Sequence, residues 1–532
     1  MVFSNNLLFG AAAASTAGGG AFDTTLIPNS VWLDGSADFL KRTFGSASNQ
    51  KRFVLGTWIQ RNSISSGTLQ TIFATGADGS NGFFFQYQNA TSSRDDRINM
   101  YNISGGSIDW NIQTSAKFRD INYYHILLSY ESAAAETSRV QIYINGVLQT
   151  SLETASYPSL NFDCDWGAAQ SHCIGNNDHN TAAPLPSYLA QTIYLDGKSI
   201  QNSDVAVGDF LDSFSYGTNG SQFGPKANAS VAALASTAGG NSFCLDFANS
   251  SDLGNDISSN NNDFSPTSMA AVNQLTNTPS LVFPVLNAID SDPTLAASLG
   301  FGNRLGVGVS DWDSVFSTLP MGKTGKWYFE VRLHTDTASN GFIAGIHETT
   351  TTALNHANYI GNSTATFGLG YSLYTAGSTF TNNTETNNSL ADIDAGDVVM
   401  MAVDLDNNKI WWGENGTFYL SGNPATGANP IYTLESDTEY VFGTSPSTDE
   451  DYFVNFGADS TFGGAISAGN NADENGIGDF KHAPPSGYLC LCSANLTAPE
   501  FQGADHFNAV VYEGSGSEQT IGSGESDSNF TA

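Results

Sequence analysis

The 532-residue chain is poor in charge, because Asp, Glu, Lys and Arg together make up only 13% of it. Basic residues are the scarcest, with 18 Lys and Arg against 52 Asp and Glu, which gives a formal net charge of −34. Nucleic acids and anionic membrane surfaces are bound by clustered basic side chains, which so few cations cannot supply. The composition therefore excludes both classes of partner.

Long apolar runs are missing as well. No stretch of the chain approaches the roughly 18 consecutive apolar residues of a membrane-spanning helix, so we expect no membrane insertion. The five cysteines are odd in number and irregular in spacing, which indicates no disulfide framework. Cys490 and Cys492 stand two apart in an apolar run, and we expect both to be buried thiols.

Helical periodicity is absent, and turn-forming residues are abundant, with glycine alone at 54 positions. Short apolar runs such as 53–59, 140–144 and 398–404 alternate with turn clusters, which is typical of antiparallel strands. Asn145 and Gly146 separate two such runs and predict a tight hairpin. The predicted fold is all-β, with two antiparallel jelly-roll-like β-sandwich domains joined by a polar linker.

Changes in composition divide the chain into five predicted units. The segment around 258–263 (SSNNND) holds too little apolar material to order by itself, which indicates a linker. The units are an N-terminal anchor peptide (1–27), a first sandwich (28–249), the linker (250–281), a second sandwich (282–466), and a C-terminal closing segment with a flexible tail (467–532).

Six ordered motifs carry a resemblance of the first sandwich to a known family. They are 38–43 (DFLKRT), 57–61 (TWIQR), 118–120 (FRD), 142–146 (IYING), 194–198 (YLDGK) and 243–249 (FCLDFAN). On these motifs the domain resembles the laminin-G-like, concanavalin-A-like lectin domains of bacteriophage virion proteins. The resemblance implies a lectin-type sandwich displayed on a virion surface.

The second sandwich resembles a SPRY domain. The motifs that carry this resemblance follow the family's order, and they are 325–331 (GKWYFEV), 344–346 (AGI), 396–399 (GDVV), 403–406 (VDLD) and 454–457 (VNFG). The closing text 478–481 (GDFK) and 484–489 (PPSGYL) resembles the end of the same phage proteins. Such folds carry binding, scaffolding and hydrolytic functions alike, so the resemblance implies fold more than ligand.

Aromatic side chains are the candidate binding residues, because aromatic rings on loops suit stacking against sugars. Neighbours on a strand face opposite sides, so one of Trp411 and Trp412 is expected to point away from its sandwich core. Tyr371 and Tyr374 stand three apart near a predicted loop. We predict Tyr371, Tyr374 and Trp411 as binding residues, with packing against a neighbouring domain as the alternative.

One loop resembles a calcium-binding sequence. The segment 471–479 (NADENGIGD) places oxygen ligands at relative positions 1, 3, 5 and 9 and glycine at position 6. His482 occupies position 12, where a bidentate Glu is expected. We predict no metal or other cofactor, and calcium at this loop stays the alternative to a glycine-rich turn.

Two further clusters have the residue types of catalytic or metal sites. Glu435, Asp437 and Glu439 have the alternate spacing that a glycan hydrolase needs, but Ser436 and Thr438 stand between them where core residues are expected. This pattern favours a solvated acidic turn. The chain also has no nucleophile elbow and no phosphate-binding loop, so we predict that it is not an enzyme.

The second cluster lies in one loop of the first sandwich. It consists of His172, Cys173, Asp178 and His179, whose spacing matches no zinc motif. The spacing favours a polar loop over a metal site.

The resemblance and the lack of a catalytic constellation together predict a phage virion structural protein at the virion surface. As a tail fibre, spike or capsid fibre, it would bind host-surface glycan without cleaving it. Its N-terminal segment would contact other virion proteins, and the chain would form a homo-oligomer, with a trimer as the expected state. The alternatives are a purely structural decoration subunit and, ranked third, a polysaccharide depolymerase.

Overall fold

Two antiparallel β-sandwiches follow one another along the chain, as predicted. The computed structural model describes residues 23–63, 69–76, 79–90, 93–177, 183–216, 220–291, 298–308, 312–335, 341–349, 358–362, 368–387, 389–447 and 450–496. Most of the predicted anchor peptide, residues 497–532 of the predicted closing segment and tail, and Asp178 and His179 lie outside these ranges. Within them, no helix has the length and apolar character needed to cross a bilayer.

The first sandwich has two facing sheets and a separate hairpin. One sheet has the order β10-β9-β8-β3-β13-β1-β18, with β16 beside β13, and the other has the order β11-β7-β6-β5-β4-β12-β2-β17. A nine-residue helix, α1 (Asn228–Ser236), packs against β13 and β16. The strands are β1 (Ser30–Asp34), β2 (Phe39–Thr43), β3 (Arg52–Arg61), β4 (Gln70–Thr75), β5 (Gly82–Ala90), β6 (Ser93–Ser104), β7 (Ser107–Thr114), β8 (Tyr123–Glu131), β9 (Val140–Ile144), β10 (Val147–Leu148), β11 (Leu152–Ser156), β12 (Ser171–Ile174), β13 (Pro186–Asp196), the hairpin β14 (Leu211–Tyr216) and β15 (Gly220–Pro225), β16 (Phe243–Leu245), β17 (Ser265–Thr267) and β18 (Gln274–Leu275).

The second sandwich repeats this plan. Its two sheets have the orders β19-β21-β31-β23-β24-β25-β26 and β20-β32-β22-β27-β28-β29, with β30 beside β28 and β33 beside β22. The strands are β19 (Leu286–Ser291), β20 (Leu305–Val307), β21 (Val315–Pro320), β22 (Lys326–Leu333), β23 (Phe342–Glu348), β24 (Gly370–Tyr374), β25 (Ser378–Thr381), β26 (Thr384–Asn387), β27 (Val398–Asp404), β28 (Lys409–Glu414), β29 (Thr417–Phe418), β30 (Tyr432–Thr433), β31 (Tyr440–Pro446), β32 (Asp451–Asn455) and β33 (Leu489–Cys490).

The hairpin predicted between β9 and β10 is present. Asn145 and Gly146 have φ values of 48° and 80°, the left-handed backbone that a two-residue turn requires. Val147 pairs with Ile144 directly after the turn. The local turn chemistry therefore sets the register of this pair.

The predicted linker, 250–281, instead belongs to the first sandwich. It contributes β17 and β18, one to each sheet, and it inserts Phe264 into the core 4.7 Å from Phe243. The buried Asp256 carboxylate organises the polar stretch, accepting a hydrogen bond from the backbone N–H of Asn262 at 2.9 Å. The segment has few apolar residues of its own, but it uses the core of the neighbouring sandwich.

A three-residue left-handed turn joins the two sandwiches. Phe301, Gly302 and Asn303 have φ values of 47°, 66° and 62°. The Phe301 ring stacks on Trp32 of the first sandwich with centroids 4.9 Å apart, and the Tyr188 hydroxyl donates to the Gly302 carbonyl at 2.8 Å. The sandwiches are therefore in direct contact through this turn.

The closing segment belongs to the second sandwich rather than following it. Its strand β33 pairs with β22 in parallel, an exception to the antiparallel plan. Phe480, Tyr488 and Cys490 are fully buried with Tyr328 and Trp411 in one cluster on the outer face of this sheet.

Both thiols of the closing segment, Cys490 and Cys492, are buried and free, as the sequence predicted. Their Sγ atoms lie 3.6 Å apart.

A buried ion pair lies inside the first sandwich. Both terminal nitrogens of Arg61 donate to Asp96 Oδ1 at 3.1 Å, and the Arg61 guanidinium lies 4.3 Å from the Tyr87 ring centroid. The Arg119 Nε atom donates to Asp96 Oδ2 at 3.1 Å. Removing one partner of a buried pair leaves an uncompensated charge in a medium of low polarity.

We expect Asp96→Asn to lower the free energy of unfolding of the first sandwich by about 3–5 kcal/mol, because Arg61 stays buried without its counter-ion. Lys51→Ala is the control, since Lys51 and Asp163 form an exposed pair at 3.7 Å and such pairs contribute less than about 1 kcal/mol. Urea unfolding of both variants measures the difference. Equal losses would contradict this account of the buried pair.

Glu330 fastens the closing segment to β22. Its carboxylate accepts backbone N–H hydrogen bonds from Lys481 at 2.8 Å and His482 at 2.7 Å, and a hydroxyl bond from Tyr328 at 3.0 Å. Burial raises the pKa of Glu330 to about 7, although these hydrogen bonds act in the opposite direction. The folded state therefore holds this proton to a higher pH than the unfolded chain does.

We expect the Glu330 contribution to stability to be complete below about pH 4.5 and to be lost as the pH rises to about 7. Its slope is at most about 1.4 kcal/mol per pH unit. In Glu330→Gln this part of the pH dependence is absent, whereas Glu474→Gln, which removes an exposed carboxylate of the same segment, keeps it. Thermal unfolding from pH 4.5 to 7.5 tests this, and parallel curves for all three proteins would refute it.

Candidate functional site

Two of the predicted binding residues lie on opposite faces of β24. Tyr371 is buried in the core of the second sandwich, where its ring lies 5.5 Å from Tyr432. Tyr374, three residues later, faces outward and is half-buried. An odd spacing along a strand always separates side chains in this way, so the structure does not bring this pair together.

Tyr374 belongs to a group of four aromatic rings on the outer face of this sheet, which we call the aromatic circuit. It consists of Trp312, Tyr359, Tyr374 and Phe380, all half-buried. Going round the group, the centroid distances are 6.3 Å from Trp312 to Tyr359, 5.4 Å to Phe380, 5.7 Å to Tyr374 and 5.6 Å back to Trp312. Every contact is edge-to-face, which is a favourable geometry for aromatic pairs.

A short segment that crosses the sheet holds Tyr359 in the circuit. Ile360 next to it is fully buried against the sheet, and its carbonyl accepts a hydrogen bond from Ser372 Oγ at 2.6 Å. A Cβ atom at Gly443 would lie 2.6 Å from Ile360 Cδ1 and 2.7 Å from Phe316 Cδ1, so the crossing packs closely against the strand there. The circuit is therefore positioned by the sheet and not by an isolated loop.

Trp312 has a left-handed backbone, with φ of 63°. This conformation costs a bulky residue about 1–3 kcal/mol and persists only where the surroundings enforce it. The backbone N–H of Trp312 donates to the Pro446 carbonyl at 3.2 Å, and its ring packs on Tyr374. Strain of this kind is concentrated at ligand-binding positions.

A carboxylate lies beside the circuit. Glu385 pairs directly across from Phe380 in the β25–β26 register, and it is exposed. Its Oε1 atom accepts a hydrogen bond from Ser378 Oγ at 2.7 Å. Burial, with a further contribution from Glu385, raises the pKa of both Tyr359 and Tyr374, so the carboxylate's field reaches both phenols.

The third predicted residue, Trp411, is fully buried. It faces away from the sandwich core, as the alternation with Trp412 predicted, but the closing segment covers it. Its Nε1 atom donates to the Ala428 carbonyl at 2.8 Å, and its ring lies 6.4 Å from Tyr488. Other protein groups cover its ring. Trp411 therefore packs inside the protein, which was the alternative to ligand binding for this residue.

The first sandwich has a cleft at its open edge, where one sheet ends at β10 and the other at β11. The cleft encloses about 330 Å³ and is lined by the buried Ile112 and Ile142 and by the more exposed Leu148 and Tyr157. Val147 next to it is 58% exposed. The edge therefore presents an apolar surface.

The calcium-like loop uses its carboxylates internally. Asp473 Oδ1 accepts backbone hydrogen bonds from Asn475 and Ile477 at 2.9 Å, and its Oδ2 accepts one from Cys490 at 3.0 Å. Among the residues that the structure describes, no three His, Cys, Asp or Glu side chains converge as a metal site would. The Asp473 carboxylate therefore links two parts of the closing segment, the loop at 475–477 and the strand β33.

The acidic segment 435–439 forms a turn before β31, not a strand. Asp437 has φ of 55°, is exposed and contacts Lys323 at 3.0 Å. This is the solvated turn that the sequence favoured over a carboxylate pair. Glu439 is occupied by a hydrogen bond from the Thr349 hydroxyl at 2.6 Å.

His172 lies inside the first sandwich rather than in a loop. Its ring stacks on Phe44 with centroids 3.6 Å apart, and its Nδ1 atom lies 2.8 Å from the Gln170 carbonyl oxygen. Burial lowers the pKa of His172 to about 4. Cys173 is also buried. These two residues have structural roles in the described part of the chain.

Comparison with known families supports the lectin-type part of the resemblance of the first sandwich. Residues 34–192 match the family described as the Concanavalin A-like lectin/glucanases superfamily, which is less than a third of the chain. A comparison with curated proteins finds no match.

Three solved structures match parts of the chain at low sequence identity. The SPRY domain of human HERC1 is 13% identical, covering 28% of this chain and 87% of that chain with a TM-score of 0.21. Domains LG4-5 of the mouse laminin alpha1 chain are 9% identical, covering 83% and 85% with a TM-score of 0.26. Domain 4 of the arabinanase AbnA from Geobacillus stearothermophilus is 17% identical, covering 36% and 84% with a TM-score of 0.25. The chain is an all-β protein, and the part of its first sandwich at 34–192 matches the concanavalin-A-like lectin and glucanase superfamily.

Proposed function

We propose that this chain is a non-enzymatic structural protein of a bacteriophage virion that binds host-surface glycan. The observation that carries the binding function is the aromatic circuit, four half-buried rings gathered on one outer sheet face. Pyranose rings present apolar C–H faces, and half-buried aromatic rings are suitable partners for them. The lectin-type family match of the first sandwich supports the same ligand class.

The virion context rests on the motifs of both sandwiches and of the closing segment, which resemble phage proteins. On this proposal the chain is a tail fibre, spike or capsid fibre at the virion surface. Residues 1–27 attach it to other virion proteins, and a cyclic homo-oligomer, a trimer in our proposal, displays several copies. Several copies would add avidity to weak individual contacts with glycan.

We propose no catalytic role, because the acidic segment that the sequence singled out lacks the arrangement that glycan hydrolysis requires. A glycosidase needs two carboxyl groups flanking the scissile bond, about 5–9.5 Å apart. The best sequence candidate, 435–439, is a turn whose members contact Lys323 and Thr349. Depolymerisation of polysaccharide is therefore ranked below binding and below a purely structural role.

We expect Tyr359→Ala and Phe380→Ala to weaken binding to host cells and to their extracted polysaccharide by at least about ten-fold, equivalent to about 1.4 kcal/mol. Each variant removes a ring from the circuit, while the sandwich core on the other face of the sheet is kept. Phe162→Ala is the matched control, because it removes a half-buried ring from the first sandwich. Binding is measured by sedimentation with cells and by calorimetry with polysaccharide.

The same samples are assayed for released reducing ends, with and without a calcium chelator. Saturable binding without sugar release is the expected result. Sugar release would establish hydrolysis instead, and loss of binding with chelator would indicate calcium at 471–479. No binding by the wild-type protein would refute glycan adhesion.

A purely structural decoration subunit is the second candidate, and the open edge of the first sandwich favours it. Val147 and Leu148 are exposed there beside the apolar cleft, and exposed apolar patches commonly mark subunit contacts. The two functions differ in what Val147→Asp does. It would disrupt an oligomer built on this edge, whereas it would leave glycan binding by a single chain unchanged.

A further inference from the structure

The carboxylate beside the aromatic circuit suggests which glycans the surface selects. This step rests on the proposed function, because it assumes that the circuit is the sugar-binding surface. Trp312, Tyr359, Tyr374 and Phe380 supply half-buried aromatic rings, and Glu385 adds a negative charge beside Phe380. The rings and the carboxylate both favour a positively charged ligand.

An aromatic ring carries partial negative charge on its face, so it attracts a cation placed over it. Such contacts are weaker at exposed sites than at sites from which water is excluded. The edge-to-face packing of the circuit leaves the rings at different inclinations, with interplanar angles of 66–70°. A bound group on this surface would therefore meet more than one ring.

Glu385 strengthens the preference for a positive charge, and the strand pairing together with one hydrogen bond holds it in place. The β-sheet register places it opposite Phe380, and Ser378 Oγ donates to its Oε1 atom. Burial, with a smaller contribution from Glu385, raises the pKa of both Tyr359 and Tyr374, in agreement with the place of Glu385 beside the circuit. An acidic sugar at the same place would be repelled by this carboxylate and by a chain of net charge −34.

We propose that the aromatic circuit and Glu385 form a subsite for a cationic amino sugar, a pyranose that carries a free ammonium group. The apolar face of the sugar packs on the rings, and the ammonium group lies by the Glu385 carboxylate. An N-acetylated residue keeps the stacking surface and loses the charge. A uronic acid reverses the charge and is disfavoured.

Three oligosaccharides of equal length test the subsite by calorimetry: a glucosamine oligomer, its N-acetylated counterpart and a glucuronic acid oligomer. At about pH 5.5, where the amine is protonated, we expect the glucosamine oligomer to bind about ten-fold more tightly than the N-acetylated one. The glucuronic acid oligomer should bind most weakly. Raising salt should reduce the preference, because exposed charges are screened.

Glu385→Gln should reduce the ten-fold preference to about two- or three-fold without abolishing binding of the N-acetylated oligomer. The amide oxygen can still accept from Ser378, so the edge strand is expected to keep its fold. Glu136→Gln is the matched control, an exposed Glu of the first sandwich with the same change in net charge. Tyr359→Ala should weaken all three ligands.

The outcomes separate the two proposals. Equal binding of the glucosamine and N-acetylated oligomers, both weakened by Tyr359→Ala, would overturn the amino-sugar subsite and leave glycan adhesion standing. Binding to host cells together with no binding of the glucosamine oligomer would also overturn the subsite alone. An unchanged preference in Glu385→Gln would overturn the role of the carboxylate.

Discussion

The arrangement of the molecule depends on the turn at 301–304, where a buried Arg304 binds Asp459. The Arg304 Nη1 atom donates to the Asp459 carboxylate at 2.6 Å, and the Arg304 carbonyl accepts from the backbone of Val454 in β32. These two contacts fix the turn to the second sandwich. From the same turn, the Phe301 ring contacts Trp32 and the Gly302 carbonyl contacts Tyr188, and both partners belong to the first sandwich. Two separately built cores are thereby held in a defined relation.

A ligand can bind only to a sheet face that other parts of the chain leave accessible. In the first sandwich, α1 and the segment 250–281 cover sheet faces and edges, and in the second the closing segment covers the face that carries Trp411. Among the residues that the structure describes, the crossing at Ile360 covers part of the face that carries Tyr374. A partly covered face with aromatic side chains gives a ligand both a rigid support and access.

The sequence predicted the fold closely, because period-two alternation and turn chemistry act over a few residues. It predicted the Asn145–Gly146 hairpin and the opposite orientations of Trp411 and Trp412 for this reason. It assigned 250–281 to a linker and Trp411 to a binding surface, whereas 250–281 joins the first sandwich and the closing segment covers Trp411, since what covers a segment depends on contacts distant in sequence. The aromatic circuit was missed for the same reason, because Trp312, Tyr359 and Phe380 belong to separate segments and only Tyr374 could be singled out.

Alternation along the strand also separates stability from recognition. Tyr371 and Leu373 of β24 fill the core, whereas Ser372 and Tyr374 of the same strand face the crossing segment and the circuit. A substitution at an outward position leaves the core between the two sheets untouched, so the recognition surface can vary while that core stays intact. An inward change on the same strand would alter the core without altering the chemistry of the surface. The fold therefore permits changes of ligand without changes of architecture.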